Sequence, residues 1–175
     1  DVLGGGVGVG RRHRPVGVAR HGQLEDPATV RGGRVGQVQG AAVEVQAVEV
    51  NGNLIRNVIA RRSDMPPEVI LGAHYDSRLM ADRDPDAQKQ LEPVPGANDG
   101  ASGAAVLLEL GRVLPSNSVP VWLVFFDAED QGSIPGWQEW SIGARAFVNA
   151  YTLKPRAVVI VDMVGDKNLH ILKEK

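Results

Sequence analysis

The 175-residue chain carries 19 basic and 21 acidic side chains, a formal net charge of −2, and it contains no cysteine. This length suits one domain with a substantial core, and the near-neutral charge gives no general reason to expect nucleic acid or an anionic membrane as a partner. The lack of cysteine excludes disulfides and thiolate metal sites, so a metal ion would need His, Asp or Glu ligands. Since no apolar run reaches about 20 residues, the sequence predicts no membrane span.

Residues 1–40 differ in composition from the rest, because Gly, Val and Arg dominate them. Such a segment can bury little apolar surface against the entropy of ordering it, which predicts a low-complexity segment that is disordered or non-native. A phosphate-binding loop at residues 4–10 is disfavoured, because no helix-forming run and no Lys-Ser/Thr pair follow it. The basic residues 11–20 lack interleaved aromatic residues, so a solvated tail is favoured over a nucleic-acid contact.

From residue 41 onward the pattern is that of a folded domain with regular secondary structure. Residues 43–50 alternate in polarity, residues 51–53 read as a turn and residues 54–61 as a second strand, which together predict a β-hairpin. Residues 68–73 are continuously apolar and predict a buried strand. Residues 78–95 are charged and proline-bearing, and a loop of this length is typical of a lid or a site wall.

Two helices and two further strands follow in alternation. Residues 101–114 predict a helix, as do residues 141–151, while residues 119–126 predict a central strand and residues 157–161 a buried strand. The residues predicted to face the core are Ala104, Ala105, Leu107, Leu108 and Leu114 on the first helix, and Trp140, Ala144, Phe147 and Val148 near the second. This order predicts an α/β fold with a mixed, mostly parallel central sheet, flanking helices and an N-terminal hairpin.

Four polar loops, three of them directly after strongly apolar strands, supply potential metal ligands. In open α/β sheets ligands bind at the carboxyl ends of strands, so we expect these loops to converge. Asp76 lies two residues after His74 and is placed to hold the imidazole ring of that histidine. Glu129 is placed as a general base for the attack of water on a carbonyl. One His and three Asp suit a pair of zinc ions about 3.5–4 Å apart. The predicted ligands are His74, Asp99, Asp130 and Asp162.

Each ligand also has an ordinary structural interpretation. His74 alone suggests a hydrogen-bonded structural histidine, and Asp99 alone suggests the N-cap of the following helix. The pair Glu129-Asp130 alone suggests a solvated acidic turn, and Asp162 alone suggests the cap of a turn. The presence of all four in this strand-and-loop setting favours the metal site over these alternatives.

Four ordered motifs resemble the successive signatures of the co-catalytic zinc aminopeptidases, a metallopeptidase family (family twenty-eight) that also contains glutaminyl cyclases. The resemblance implies that His74 and Asp162 hold one zinc with bridging Asp99, that Asp130 joins Asp99 on the other, and that Glu129 is the acid/base. It also implies a cis peptide after Asp99 and slightly favours a secreted or periplasmic location. The motifs are His74-Tyr75-Asp76-Ser77, Gly96-Ala97-Asn98-Asp99-Gly100-Ala101-Ser102-Gly103, Phe125-Phe126-Asp127-Ala128-Glu129-Asp130-Gln131-Gly132 and Val161-Asp162-Met163.

The chain departs from the family pattern in two ways. The family often has Glu where this chain has Asp130, and Asp reaches less far from the backbone. The family's last ligand is a histidine far downstream of the Asp162 motif, whereas His170 follows it by only eight residues and is interpreted as a structural residue in a strand. The expectation is a partial catalytic domain over residues 41–175, with weak metal retention and little activity.

Three functions are compatible with this pattern. The first is a zinc aminopeptidase that acts on the N-terminus of peptides. The second is a single-zinc glutaminyl-peptide cyclotransferase. Trp137 and Trp140 favour it as substrate-pocket residues, because that branch of the family also places Trp after its acidic pair. The alternative is that both tryptophans only make packing contacts. The third is a binding module of the same fold without catalysis. The sequence gives no prediction of oligomeric state.

Overall fold

The structure is a computed structural model that describes residues 33–38 by their backbone, and residues 40–115 and 118–171. Six strands and two helices are present in these residues. Strand β1 falls within the segment 1–40 that the composition separates from the rest, so the sheet begins before residue 40; residues 1–32 of that predicted segment lie outside the described residues. The elements are β1 Gly33–Val38, β2 Ala41–Val50, β3 Asn53–Arg61, β4 Val69–His74, α1 Ala101–Val113, β5 Val121–Phe126, α2 Ile142–Ala150 and β6 Ala157–Ile160.

The strands form one mixed sheet in the order β1-β2-β3-β5-β4-β6. Strands β2 and β3 form the predicted hairpin, and its turn residues Asn51 and Gly52 both have positive φ, as a tight two-residue hairpin turn requires. The α/β class and the mixed sheet are confirmed. However, three ladders are antiparallel (β1–β2, β2–β3 and β3–β5), and the parallel part is confined to β5, β4 and β6. Parallel strands end at the same edge of the sheet, which brings the loops after β4, β5 and β6 together.

Helices α1 and α2 pack on opposite faces of the sheet. Side chains of the central strand β5 point to the two faces in alternation, so each helix contacts a different set of them. Val124 and Phe126 belong to a core cluster with Phe147 of α2, and the rings of Phe126 and Phe147 meet edge to face with centroids 5.8 Å apart. Leu123 faces the other way and lies beside Gly111 of α1. The predicted central position of this strand is therefore confirmed.

The apolar stripes predicted for the two helices are only partly correct. On α1, Leu107 is buried, but Leu108 is 66% exposed and Gly103 is the second buried residue. The helix approaches the sheet so closely at Gly103 that a glycine, not a large aliphatic residue, makes the contact. On α2, Phe147 is buried whereas Val148 is 70% exposed, since this short helix presents only a narrow line to the sheet.

The last predicted strand forms, but the prediction that it is buried is wrong. All four residues of this strand, β6, are exposed. It is an edge strand that pairs with β4 alone among the described strands, so its apolar side chains lack the cover that flanking elements give a central strand. Residues 78–95 contain no helix or strand, as predicted for a loop. No helix in the described part of the chain is long and apolar enough to cross a membrane.

Candidate metal centre

His74 ends strand β4 and is almost completely buried, with 3% of its surface exposed. Its Nδ1 lies 3.4 Å from Oδ1 of Asp76, and its Nε2 lies 2.9 Å from Oδ1 of Asp99 and 3.4 Å from Oδ1 of Asp162. The hydrogen bond to Asp76 outweighs the effect of burial and, with the negative charges nearby, raises the pKa of His74 to about 9. One ring nitrogen is therefore held by a carboxylate, and the other faces two carboxylates.

Asp99 and Asp162 reach this imidazole from two different loops. Asp99 precedes α1 and Asp162 follows β6, and the ligand atoms of these residues and His74 all lie within 4.8 Å of one another. Asp99 does not cap α1, because Gly100 occupies the N-cap position without any side-chain cap hydrogen bond. The structural alternative for Asp99 is therefore wrong. The two carboxylates are also partly open, with side chains 39% and 50% exposed.

These three residues fit a divalent cation such as zinc. His74 Nε2 is buried without a hydrogen-bond partner among the described residues, although Asp99 Oδ1 is only 2.9 Å away. Buried polar nitrogens are normally hydrogen-bonded, so an unpaired imidazole nitrogen aimed at two carboxylates requires an explanation. Zinc accepts one imidazole nitrogen and carboxylate oxygens as ligands, and a metal-binding histidine usually has its other nitrogen held by a carboxylate, as Asp76 holds it here.

Asp76 also organises the loop after β5. Its carboxylate accepts hydrogen bonds from the N–H groups of Glu129 and Asp130, at 3.0 and 3.2 Å, and from Nε2 of Gln131 at 2.8 Å. Burial acts to raise the pKa of Asp76, but these donors and His74 outweigh it and leave the pKa below its usual value. Asp76 therefore orients the imidazole and the acidic pair together.

The acidic pair lies beside the three-residue cluster. Asp130 is not one of the three residues whose ligand atoms converge, so the structure joins three of the four predicted ligands directly. Burial and the negative charges of Asp99 and Glu129 raise the pKa of Asp130 to about 6. Glu129 accepts a hydrogen bond from Oγ of Ser141 at 3.0 Å. Neither residue is a freely solvated turn residue.

Comparison with known proteins identifies the family. The model for Peptidase family M28 matches residues 57–174, well over half of the chain. The chain belongs to Peptidase family M28. Among curated relatives, the uncharacterized protein YfbL of Escherichia coli (strain K12) is 33% identical over 130 residues, which cover 72% of this chain and 38% of YfbL. A probable zinc metalloprotease of Pyricularia oryzae is 31% identical over 147 residues, 72% of this chain and 28% of that protein.

Solved structures agree with this assignment. The glutaminyl cyclase of Porphyromonas gingivalis superposes with a TM-score of 0.65 at 35% identity, covering 73% of this chain and 49% of that chain. A Zn-dependent exopeptidase from Parabacteroides distasonis superposes with a TM-score of 0.58 at 34% identity, covering 74% and 50%. The M28 chain described here therefore spans about half of these structures and less than half of the curated relatives.

Trp137 and Trp140, the two predicted substrate-pocket residues of this M28 chain, both make packing contacts. Trp137 packs against a small core cluster of Ile55, Ala128 and Ile142. Trp140 is 37% exposed and lies over the guanidinium of Arg78, with Cζ 4.8 Å from the ring centroid. Neither contact tests a role in substrate binding, which stays a prediction.

Two expectations about the M28 site are wrong. His170 is exposed and lies outside the described strands, so it is not a structural residue in a strand, and it does not belong to the metal cluster. The peptide after Asp99 is trans, since no cis peptide occurs among the described residues; Gly100 instead adopts a φ of +89°. A side chain at Gly100 would lie 2.5 Å from the carbonyl oxygen of Asp76, so this glycine permits the close approach of the two loops.

Sequence reasoning missed three residues that support the site. Arg78 and Gln131 join the loops after β4 and β5, and Ser141 holds Glu129. Spacing could not identify them, because each acts across 12 or more residues of chain. The only sequence signal was an arginine directly after the first predicted motif and a glutamine inside the third.

Proposed function

We propose that this protein is a zinc-dependent aminopeptidase that hydrolyses the N-terminal bond of peptides. The observation that carries the proposal is the convergence of Asp99 and Asp162 on the buried Nε2 of His74, which makes no hydrogen bond within the described residues. Family membership and relatives named as zinc metalloproteases and exopeptidases support the same chemistry. Zinc, when bound, supplies a Lewis acid for the substrate carbonyl and favours deprotonation of a water.

In this proposal each residue has a defined task. His74, Asp99 and Asp162 hold one zinc ion, and Asp130 with Asp99 contributes to a second. Glu129 accepts a proton from the attacking water and returns it to the leaving amine, as a general base and then a general acid. The hydrogen bond from Ser141 and the N–H of Glu129 bound to Asp76 limit the directions that this carboxylate can take. The partial exposure of Asp99 and Asp162 leaves an approach for a peptide.

The second candidate is glutaminyl-peptide cyclotransfer. It is favoured by the solved glutaminyl cyclases that superpose on this chain, those of Tannerella forsythia and Porphyromonas gingivalis among them. In that reaction the N-terminal amine of a glutaminyl peptide attacks its own side-chain amide carbon, a C–N bond forms, and ammonia leaves. Glu129 would carry the proton from the amine to the departing ammonia.

Metal counting tests the proposed site. We expect the chain to bind zinc and to lose the ion held by His74, Asp99 and Asp162 in the variant His74→Ala. The matched control His170→Ala should retain this ion, because His170 is exposed and lies outside the cluster. Mass spectrometry of the metal in protein equilibrated with buffered zinc gives the stoichiometry. In a full-length version of the protein, two zinc ions per chain favour hydrolysis and one favours cyclisation. Equal zinc binding in the wild type and His74→Ala, or no zinc binding by the wild type, contradicts the proposal and favours a non-catalytic binding module.

Product analysis distinguishes the two enzymes. With protein in excess over substrate, so that weak activity is visible, we expect an N-terminal residue to be released from a short peptide. Glu129→Gln should slow this by about 10²–10⁴-fold, the usual contribution of a general base. The control Glu139→Gln, an exposed glutamate paired with Arg145, should have no effect. Ammonia release from a glutaminyl peptide without hydrolysis would instead establish the cyclotransferase.

A further inference from the structure

Arg78 is a buried cation beside the candidate site. It lies in the loop after β4, four residues beyond His74, and is 8% exposed. Its Nε and Nη2 donate to the two carboxylate oxygens of Asp82, at 2.7 and 2.9 Å. Such a two-point pair fixes the plane of a guanidinium, because both donors must point at the same carboxylate. The directions of the remaining N–H groups are therefore fixed as well.

The same guanidinium holds the main chain of the loop after β5. Nη1 donates to the carbonyl oxygen of Asp130 at 2.5 Å, and Nη2 donates to that of Gly132 at 3.0 Å. The N–H of Asp130 donates to Asp76 at 3.2 Å. Both main-chain polar groups of Asp130 are thus bound by side chains from the loop that begins at His74.

Trp140 covers the exposed side of this arrangement. Its ring lies over the guanidinium of Arg78, at a distance where the attraction between a cation and an aromatic face is favourable. Gly132 leaves room for the ring, since a Cβ at that position would lie 2.2 Å from the indole. The hydrogen bonds of Arg78 are therefore partly shielded from water, which strengthens them.

We propose that Arg78 is a positioning residue, whose guanidinium fixes the main chain of Asp130 and so limits where its carboxylate, a candidate ligand of a second metal ion, can lie. The inference rests on the proposed function for the metal and extends it to a residue that touches neither metal nor substrate. Lysine at this position would keep the charge but is a single point donor. It cannot bind Asp82 and two carbonyl groups in one plane.

Hydrogen exchange in the metal-free chain tests the holding role without any bound ion. In Arg78→Lys we expect the amides of Glu129 and Asp130, which donate to Asp76, to exchange at least about 10-fold faster than in the wild type, while the β2–β3 hairpin is unchanged. The matched control is Arg112→Lys, since Arg112 makes a similar two-point pair with Glu109 on the exposed face of α1. Unchanged exchange at Glu129 and Asp130 would overturn the proposal.

Zinc titration by calorimetry tests the metal role. We expect Arg78→Lys to weaken the second zinc at least about 10-fold, as loss of a supporting residue commonly does, while the first zinc is retained; Asp130→Ala marks the complete loss of the second. Equal affinity for the second zinc in the wild type and Arg78→Lys would overturn the proposal. If the wild type binds one zinc ion or none, the second-metal role of Arg78 is overturned, and the exchange rates still decide whether Arg78 holds the loop. No zinc at all also contradicts the proposed function.

A second variant guards against misfolding of Arg78→Lys. Asp82→Asn leaves the arginine in place and weakens only its charged partner, so we expect a smaller acceleration of exchange at the same two amides. An Asp82→Asn variant that folds and exchanges like the wild type, together with unchanged exchange in Arg78→Lys, would overturn the proposal.

Discussion

Asp99 could serve either as a helix cap or as a metal ligand, because it lies directly before α1. The structure places its carboxylate 2.9 Å from His74 Nε2 and gives it no capping bond to the helix. In Asp99→Ala we therefore expect any loss of stability in the metal-free chain to come from the contact with His74, and so to be absent when the substitution is made in His74→Ala. Urea unfolding followed by circular dichroism measures this, and zinc binding should be lost in the same variant.

The capping interpretation predicts a different result for Asp99→Ala. Removal of an N-cap aspartate costs about 1 kcal/mol, with zinc binding retained. Glu109→Ala, a substitution at an exposed position of the same helix, controls for general effects on α1 and should leave zinc binding unchanged. A destabilised variant that still binds zinc as the wild type does would refute the ligand role.

At single residues, sequence reasoning predicts the groups that bear chemistry better than those that hold them. His74, Asp99 and Asp162 are predictable because each lies in a recognisable motif next to a strand end or a helix start, and parallel strands must end at one edge. Arg78 and Ser141 are not, because their partners are set by how two loops fold against each other. The position of Asp130 beside the cluster also depends on that loop packing.

Helix α1 is fitted to the sheet at a glycine. A Cβ on Gly103 would lie 2.2 Å from the carbonyl oxygen of Val161 and 3.1 Å from Cβ of Ala73. We expect Gly103→Ala to reduce the free energy of unfolding by about 1–3 kcal/mol, as overpacking does, although alanine favours helices. Because Asp162 follows Val161 directly, zinc binding should weaken too, and denaturant unfolding with zinc titration measures both effects.

The control for this contact is Gly111→Ala in the same helix. Its nearest neighbour is Cδ1 of Leu123 at 3.1 Å, the end of a side chain that can move. Helix propensity then offsets the tighter packing, so stability should stay within about 1 kcal/mol of the wild type and zinc binding should not change. Equal effects at Gly103 and Gly111 would show that the contact of α1 with the loop before Asp162 is not specific.

Tyr151, at the end of α2, joins that helix to strand β2. Its hydroxyl donates to Oε1 of Glu44 at 2.5 Å, and burial together with this carboxylate raises the pKa of Tyr151 above its usual value. A raised folded-state pKa contributes stability that is fully present below the unfolded pKa, about 10, and is lost as pH rises beyond it. We expect Tyr151→Phe to be about 1–2 kcal/mol less stable at pH 8, with a smaller difference at pH 11.

Chemical unfolding at pH 8, 9.5 and 11 measures how the difference in stability between the wild type and Tyr151→Phe decreases as the pH rises. The comparison uses the difference between wild type and variant at each pH, so other alkaline effects common to both proteins cancel. A difference that stays constant from pH 8 to pH 11, or grows, would contradict the role given to the hydrogen bond with Glu44.

The elements themselves were largely predictable, whereas their burial was less so. The hairpin β2–β3 follows from alternating polarity and an Asn-Gly turn, and β5 follows from its continuous apolar run. Strand β6 has the same apolar character but lies at the edge, and Leu108 has the same character as Leu107 but points to solvent. Periodicity reports which residues can be buried, while the neighbours that bury them are decided by topology.

Several areas of apolar surface are exposed among the described residues of the molecule, and one of them is the β6 edge, where Val158, Val159 and Ile160 are each about half exposed. An apolar edge strand is a template for pairing with another chain. We therefore expect concentration-dependent self-association in sedimentation velocity, reduced in Val158→Lys. The control is Val148→Lys, since Val148 is 70% exposed on α2 rather than on a strand edge. Equal suppression by both variants, or no association in the wild type, would refute a specific role for this edge.

The candidate metal centre depends on how the sheet and its helices place three loops. The loops after β4 and β6 and the loop before α1 bring an imidazole and two carboxylates together. A crystal of the chain grown with zinc, with anomalous diffraction recorded at the zinc edge, tests it most directly. We predict a zinc peak about 2.0–2.2 Å from His74 Nε2 and from carboxylate oxygens of Asp99 and Asp162. Zinc bound elsewhere while these three residues remain unligated would contradict the account.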